Sequence, residues 1–226
     1  MFRQLSAAIL GAGMLLVSLQ ECSGDDAEAK ADAKRDYRAL VAELASPNNE
    51  PTTFKRAGGR VKFPARYNVK AQRRIDEVRR ILQDNIEESL PFLVEALDDK
   101  RYCMTIDWGD GDAYYNRSVG SICQNVIESH LEIYRDKIGF SGPQHWKKYT
   151  YPISKEWWQA RKDRSLVELQ IEAVDWAIEL RKVDDMEART DPAKELADLR
   201  KLRDEVESSQ KPAKPRHMFR METTNQ

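Results

Sequence analysis

Residues 85–134, NIEESLPFLVEALDDKRYCMTIDWGDGDAYYNRSVGSICQNVIESHLEIY, read as two helices joined by a long acidic, aromatic loop. Ser89 stands just before an apolar run, where its hydroxyl can cap a first turn, and Pro91 follows early enough to cost no backbone bond. Leu90, Leu93, Val94 and Leu97 recur at helical spacing and form one apolar stripe. Asp98, Asp99, Lys100 and Arg101 close that stripe with solvated charge. The second helix is predicted over residues 118–134, with Val119, Ile122, Cys123, Val126, Ile127 and Leu131 on one face. A helical hairpin follows, and with it an all-α chain: an irregular helical domain with long loops.

The two halves of this hairpin carry a resemblance. SLPFLVEALDD resembles the first helix of a HEAT-type repeat, with its proline, leucine stripe, Ala-Leu pair and closing Asp. NRSVGSICQNVI is similar to the second helix of such a repeat. The resemblance covers one repeat unit, about a fifth of the chain, and departs from the family at the turn, which here spans residues 100–117. It implies a binding or scaffolding surface and carries no catalytic residues. Solenoids bury their faces by stacking several units, and no second unit matches.

Residues 1–24 have the layout of a signal peptide. Arg3 is the basic start, residues 7–19 are an apolar core too short to span a bilayer, and Cys22-Ser23-Gly24 supplies small residues for cleavage. Two readings stand: soluble export to the periplasm or beyond, and a lipoprotein signal with Cys22 as the lipidated residue and sole membrane attachment. Glu21 speaks for the first, since a small residue is expected before a modified cysteine. The mature chain, residues 25–208 as a single domain, is long enough for a real core. Export leaves Cys103 and Cys123 as a pair in an oxidising compartment. A bridge between them closes a loop of about twenty residues, stabilising by on the order of 3 kcal/mol in the chain-entropy account, and two buried free thiols are the alternative.

Outside the hairpin, residues 26–46 read as a helix with Tyr37, Leu40, Val41 and Leu44 inward. Three prolines and Gly58-Gly59 mark residues 46–68 as a linker. Asn68 then caps a helix with Ile75, Val78, Leu82 and Ile86 on its inner face. Ser154 caps a helix at Lys155, and Ser165 with Glu168 forms a capping box for a helix over residues 165–183. Leu166, Leu169, Ala173, Trp176, Ala177 and Leu180 give that helix a broad apolar face. Asp191-Pro192 opens the last helix, whose seam is Leu196, Leu199, Leu202 and Val206. Residues 209–226 read as a disordered basic tail.

Charged residues are 33% of the chain, yet the formal net charge is only -1. The distribution is uneven. Residues 55–80 hold ten Lys or Arg against two acids, net +8, while residues 84–112 hold nine acids against two bases, net -7. The ordinary account is mutual neutralisation or solvated helix faces; the alternative is an anionic partner, a polysaccharide or lipid headgroup rather than nucleic acid in an exported chain. In DWGDGD, Asp107, Asp110 and Asp112 could offer oxygens to a hard cation. The spacing departs from an EF-hand loop, with Ser118 where the twelfth-position glutamate belongs, and Asp-Gly-Asp also builds plain turns. The reading is therefore a turn with contact residues Asp107, Trp108, Asp110 and Asp112, and no metal or cofactor. Asn116-Arg117-Ser118 is an N-glycosylation sequon, meaningful only in a eukaryotic secretory host.

Trp146, Tyr149, Tyr151, Trp157 and Trp158 crowd one irregular stretch with lysines between them. Such rings anchor loops against a core, or stack on sugars and anionic ligands. Enzyme signatures are lacking: no nucleophile elbow, phosphate loop, zinc helix or dinucleotide glycine run. His130, His145 and His217 are widely separated, and a charged His130 near a helix end is explained by the helix dipole. The expectation is an exported interaction or scaffolding module of the cell envelope with an unidentified protein partner. A carbohydrate or anionic-ligand module using the Trp/Tyr cluster is the alternative, and an uncharacterised hydrolase the third reading.

Overall fold

Short polar side chains start most of the helices. The structure, a computed structural model, describes residues 35–53, 61–107, 114–135, 137–138, 150–183 and 191–214. In helix α1 (Tyr37–Glu43) the Asp36 carboxylate accepts the Ala39 N–H. The strands β1 (Thr52–Thr53) and β2 (Val61–Lys62) pair antiparallel inside the stretch read as a linker. Asn68 caps α2 (Val69–Asp84), accepting from Ala71 N–H at 3.0 Å. After a break at Asn85 comes α3 (Ile86–Glu95), then strands β3 (Tyr102–Asp107) and β4 (Tyr114–Ser118). Ser118 caps α4 (Val119–Leu131) and Ser154 caps α5 (Lys155–Gln159). Ser165 and Glu168 exchange the two bonds of a capping box before α6 (Leu166–Val183). Asp191 with Pro192 opens α7 (Pro192–Ser209).

The chain is thus mostly helical, but two small two-stranded sheets correct the all-α expectation. The larger lies where a loop was expected between α3 and α4. Tyr102, Cys103, Thr105, Ile106, Tyr114 and Tyr115 are β-favouring aromatic, β-branched and compact side chains, and they zip into an antiparallel hairpin with Thr105 opposite Asn116 and Ile106 opposite Tyr115. The tip, residues 108–113, with Trp108, Asp110 and Asp112, lies outside the described residues, as does the side chain of Asp107.

A second correction concerns Ser89. It does not cap a helix; it sits inside α3, fully buried, and its hydroxyl donates to the Leu82 carbonyl at 2.8 Å. That bond ties α3 to the end of α2 and satisfies a carbonyl left over at a helix C-terminus.

One core runs through the helices. Leu44, Val78, Leu82, Leu93, Ile122, Ile127, Leu131, Leu169 and Leu199 are all at 0% exposure. Each such side chain contributes about 1.5–3 kcal/mol relative to an exposed one. The helix α1 packs on α2 and α3, α3 on α4, α4 on α6, and α6 on α7. The seam of α7 therefore docks on its own chain. The first residues of the expected tail are also tied down: the Gln170 side chain accepts the Ala213 N–H and donates to the Ala213 carbonyl.

Cys103 and Cys123, expected to form a disulfide, are both free and buried. The pairing of β3 and β4 steps from Tyr102–Ser118 to Met104–Arg117, so Cys103 is the extra residue of a β-bulge, and its carbonyl accepts the Gln72 amide at 2.8 Å. Burial drives the Cys103 thiol above its ordinary range and pushes Cys123 up to about 12. Inert thiols result, since the thiolate is the reactive form. With Cys22 replaced by serine, a thiol-reactive dye is expected to label neither of these cysteines in the native protein and both within minutes in urea. Absence of labelling in urea without reductant would mean a bridge instead.

Candidate functional site

The β3–β4 hairpin is built on an interior chain of polar groups. The Tyr67 hydroxyl lies 3.0 Å from both the Gln72 side-chain oxygen and the Tyr102 hydroxyl, which in turn lies 2.9 Å from the Thr105 hydroxyl. Thr105 donates to the Asn116 side chain at 2.7 Å, and the Asn116 amide donates to the Pro51 carbonyl at 2.8 Å. Burial raises both tyrosines above their usual range, so their protons stay in place as hydrogen-bond donors. The base of the hairpin is thereby pinned to α2 on one side and to the β1 segment on the other. Asn116 of the sequon is part of this chain, its amide nitrogen engaged.

Beyond this base the hairpin offers side chains outward. Tyr115 is 37% exposed, one of two large hydrophobics so exposed among the described residues, and the Arg117 guanidinium lies 6.0 Å from its ring centroid. Tyr114 is half-buried beside it, at the edge of the acidic tip. Both tyrosines fall in the stretch expected as a loop; the β-favouring residues on either side of DWGDGD are the signal for the hairpin.

The aromatic stretch behaves differently. Tyr151 and Trp157 are 2% and 8% exposed and belong to the core, which corrects their reading as ligand-binding rings. Tyr151 meets Trp157 and Trp176 edge-on at 5.9 Å and 5.5 Å. Its hydroxyl donates to Glu172, accepts from the Trp157 ring N–H at 3.2 Å, and Arg161 and Arg164 close on the same carboxylate. Trp158 is half-buried against Trp157. Trp146 and Tyr149, with His145 and His217, lie outside the described residues.

Among the described residues, charges of both segments meet local partners. Asp76 takes Arg79 and Arg80, Glu43 takes Arg74, and the acids of the hairpin region pair as Glu95 with Arg38, Asp98 with Lys155 and Asp99 with Arg101. Buried Glu132 accepts the Tyr151 N–H at 2.6 Å and pairs with Arg135; burial, then Glu128, push its carboxyl up to about 8 against the pull of Arg135. An open groove along α7 is lined by one face of that helix alone, so its polar groups diverge. Among the described residues no three His, Cys, Asp or Glu converge as a metal set would require.

His130 is 5% exposed, not a charged helix-end residue. One ring nitrogen donates to the Gln83 carbonyl, and Nε2 has no hydrogen-bond partner among the described residues. Burial pulls its pKa from the ordinary 6.5 down to about 4. Above the ordinary value both folded and unfolded chains carry neutral imidazole, and this group adds no pH dependence. As pH falls from about 6.5 to about 4 the unfolded chain takes up a proton that the folded one refuses, so stability falls with pH, by on the order of 3 kcal/mol. His130→Leu is expected to flatten the urea midpoint over that window relative to the parent. Parallel curves for the two proteins would place His130 in solvent.

Comparison with known proteins finds no matching family model, no matching curated protein and no matching solved structure.

Proposed function

We propose that the chain is an exported interaction module of the cell envelope, in which a helical scaffold built on a HEAT-like pair presents the β3–β4 hairpin to a protein partner. The observation that carries this is the hairpin itself: a base pinned by the Tyr67–Tyr102–Thr105–Asn116 chain, and an outer strand that leaves Tyr115 exposed beside DWGDGD. Tyrosine is enriched at interface hot spots because its ring gives large contact area at low entropic cost. A rigid base limits the ordering cost of binding. Export rests on the layout of residues 1–24. No helix among the described residues is long and apolar enough to cross a membrane.

The alternative with a sugar or anionic ligand on the aromatic stretch loses support, since Tyr151 and Trp157 present no free face. A hydrolase using His130 would need that imidazole within reach of a substrate proton, directly or through one water, and its surroundings are closed.

The test is crosslinked affinity purification of the tagged protein from its host's envelope fraction. Two variants run beside it: Tyr115→Ser, and Asp107→Asn with Asp110→Asn and Asp112→Asn. A discrete protein recovered with the parent and lost with both variants is the expected result. Equal recovery with either variant, or no enriched protein in any sample, would overturn the reading.

A further inference from the structure

The sequence from Pro51 through Ile75 holds eight Lys or Arg and no Asp or Glu. The fold then separates the cations. Arg74 is held by Glu43 and Glu77, but Lys62, Arg66 and Lys70 are exposed and meet no carboxylate among the described residues. Between the last two stands Val69, 39% exposed, the second of the two exposed large hydrophobics. Phe63 lies half-buried beside them, its ring centroid 4.7 Å from that of Tyr67.

This stretch is held firmly. Tyr67 N–H donates to the Pro64 carbonyl, and Asn48 and Asn68 exchange two bonds, at 2.7 Å and 3.1 Å, that fix the turn before α2. The Tyr67 hydroxyl joins the same interior chain that pins the hairpin. The cations therefore project from the end of β2, from an ordered turn and from the first turn of α2.

We infer that this face, Lys62, Arg66, Val69 and Lys70, docks on an anionic phospholipid surface. Three cations that meet no carboxylate among the described residues answer lipid phosphates, each improving partition onto an anionic membrane by roughly fivefold. The exposed aliphatic residue among them selects the partner. A bilayer interface takes up an apolar side chain between headgroups, whereas a soluble polyanion offers Val69 nothing to enter. The inference rests on these four side chains and does not depend on a protein partner at the hairpin.

The experiment is flotation of the full chain with vesicles of phosphatidylcholine alone and with phosphatidylcholine containing about one-third phosphatidylglycerol. The apolar run at residues 7–19 acts on both vesicles alike, so the readout is the ratio of anionic to neutral binding. That ratio is expected to be well above unity and to fall with added salt. Lys62→Gln with Arg66→Gln and Lys70→Gln lowers it by roughly a hundredfold or to unity, whichever is reached first. These side chains are exposed, and an unchanged melting midpoint confirms that the variant folds. Val69→Ser weakens vesicle binding severalfold and leaves retention on heparin unaltered. A parental ratio of unity, or a triple variant that floats like the parent, overturns the inference. Val69→Ser without effect, with heparin retained more tightly than vesicles, overturns it in favour of a soluble polyanion.

Discussion

Gly120→Ala is expected to destabilise the protein by more than about 3 kcal/mol, although alanine is the better helix former by about 1 kcal/mol. Gly120 is the second residue of α4, and there the backbone of the α3 end runs against it. A methyl group at this position would lie 2.1 Å from the Leu97 carbonyl oxygen, 2.7 Å from the carbonyl carbon and 3.0 Å from the Asp99 oxygen. None of these is a side chain that can swing aside. The same backbone is held by two hydrogen bonds of 2.9 Å, Val119 N–H to the Arg101 carbonyl and Gly120 N–H to the Asp99 carbonyl. Relief of the clash therefore means separating α3 from α4 and moving the root of the β3–β4 hairpin. A loss of this size is a large part of the roughly 5–15 kcal/mol that holds a domain folded. Urea denaturation followed by circular dichroism decides the sign. A midpoint at or above that of the parent would show that helix propensity wins and that the close approach of α3 and α4 is not as described.

That close approach illustrates which features could be read along the chain and which could not. Asn68, Ser154, Ser165 with Glu168, and Asp191 with Pro192 all act on backbone groups two or three residues away, and each stands where its local pattern puts it. Ser89 looked like another cap because its hydroxyl precedes an apolar run; its partner, the Leu82 carbonyl, lies seven residues back in a different helix. The hairpin was hidden for a related reason. The bulge at Cys103 breaks the alternation of β3, so Tyr102, Cys103 and Met104 are all buried in succession and no period of two is visible. Tyr151 and Trp157 carried the same ambiguity as any aromatic cluster: whether a ring faces a ligand or the core depends on Trp176, which arrives from a helix some twenty residues later. The basic stretch was plain in composition, but which of its cations remain available depends on Glu43, from another helix, and on Asp76, one turn away on the same face of the same helix.

Arg181→Met alone, or Glu195→Leu alone, is expected to cost about 3–5 kcal/mol, whereas the two together are expected to be neutral or stabilising. The Arg181 Nε donates to the Glu195 carboxylate at 2.7 Å, with the two side chains only 2% and 4% exposed. At that depth water is largely excluded, and each charge faces its opposite directly. Removing one takes away the opposite charge in direct contact with the other between α6 and α7, and that penalty dominates the single variants. Removing both exchanges a pair that has given up its water for apolar side chains of similar volume, next to Leu199 and Ala177 in the existing core. A double-mutant cycle measured by urea denaturation reads the coupling directly. Two further consequences make the argument testable beyond the sum. Arg181→Lys should recover only part of the loss, since an ammonium lacks the planar fork that matches a carboxylate. Salt should leave the coupling almost unchanged, in contrast to the exposed Arg203–Glu207 pair on α7, because mobile ions screen only what they can approach. Single variants that cost less than about 1 kcal/mol would mean that water reaches the pair. In that case α7 would be a loosely held strap instead of the helix that closes the core over α6.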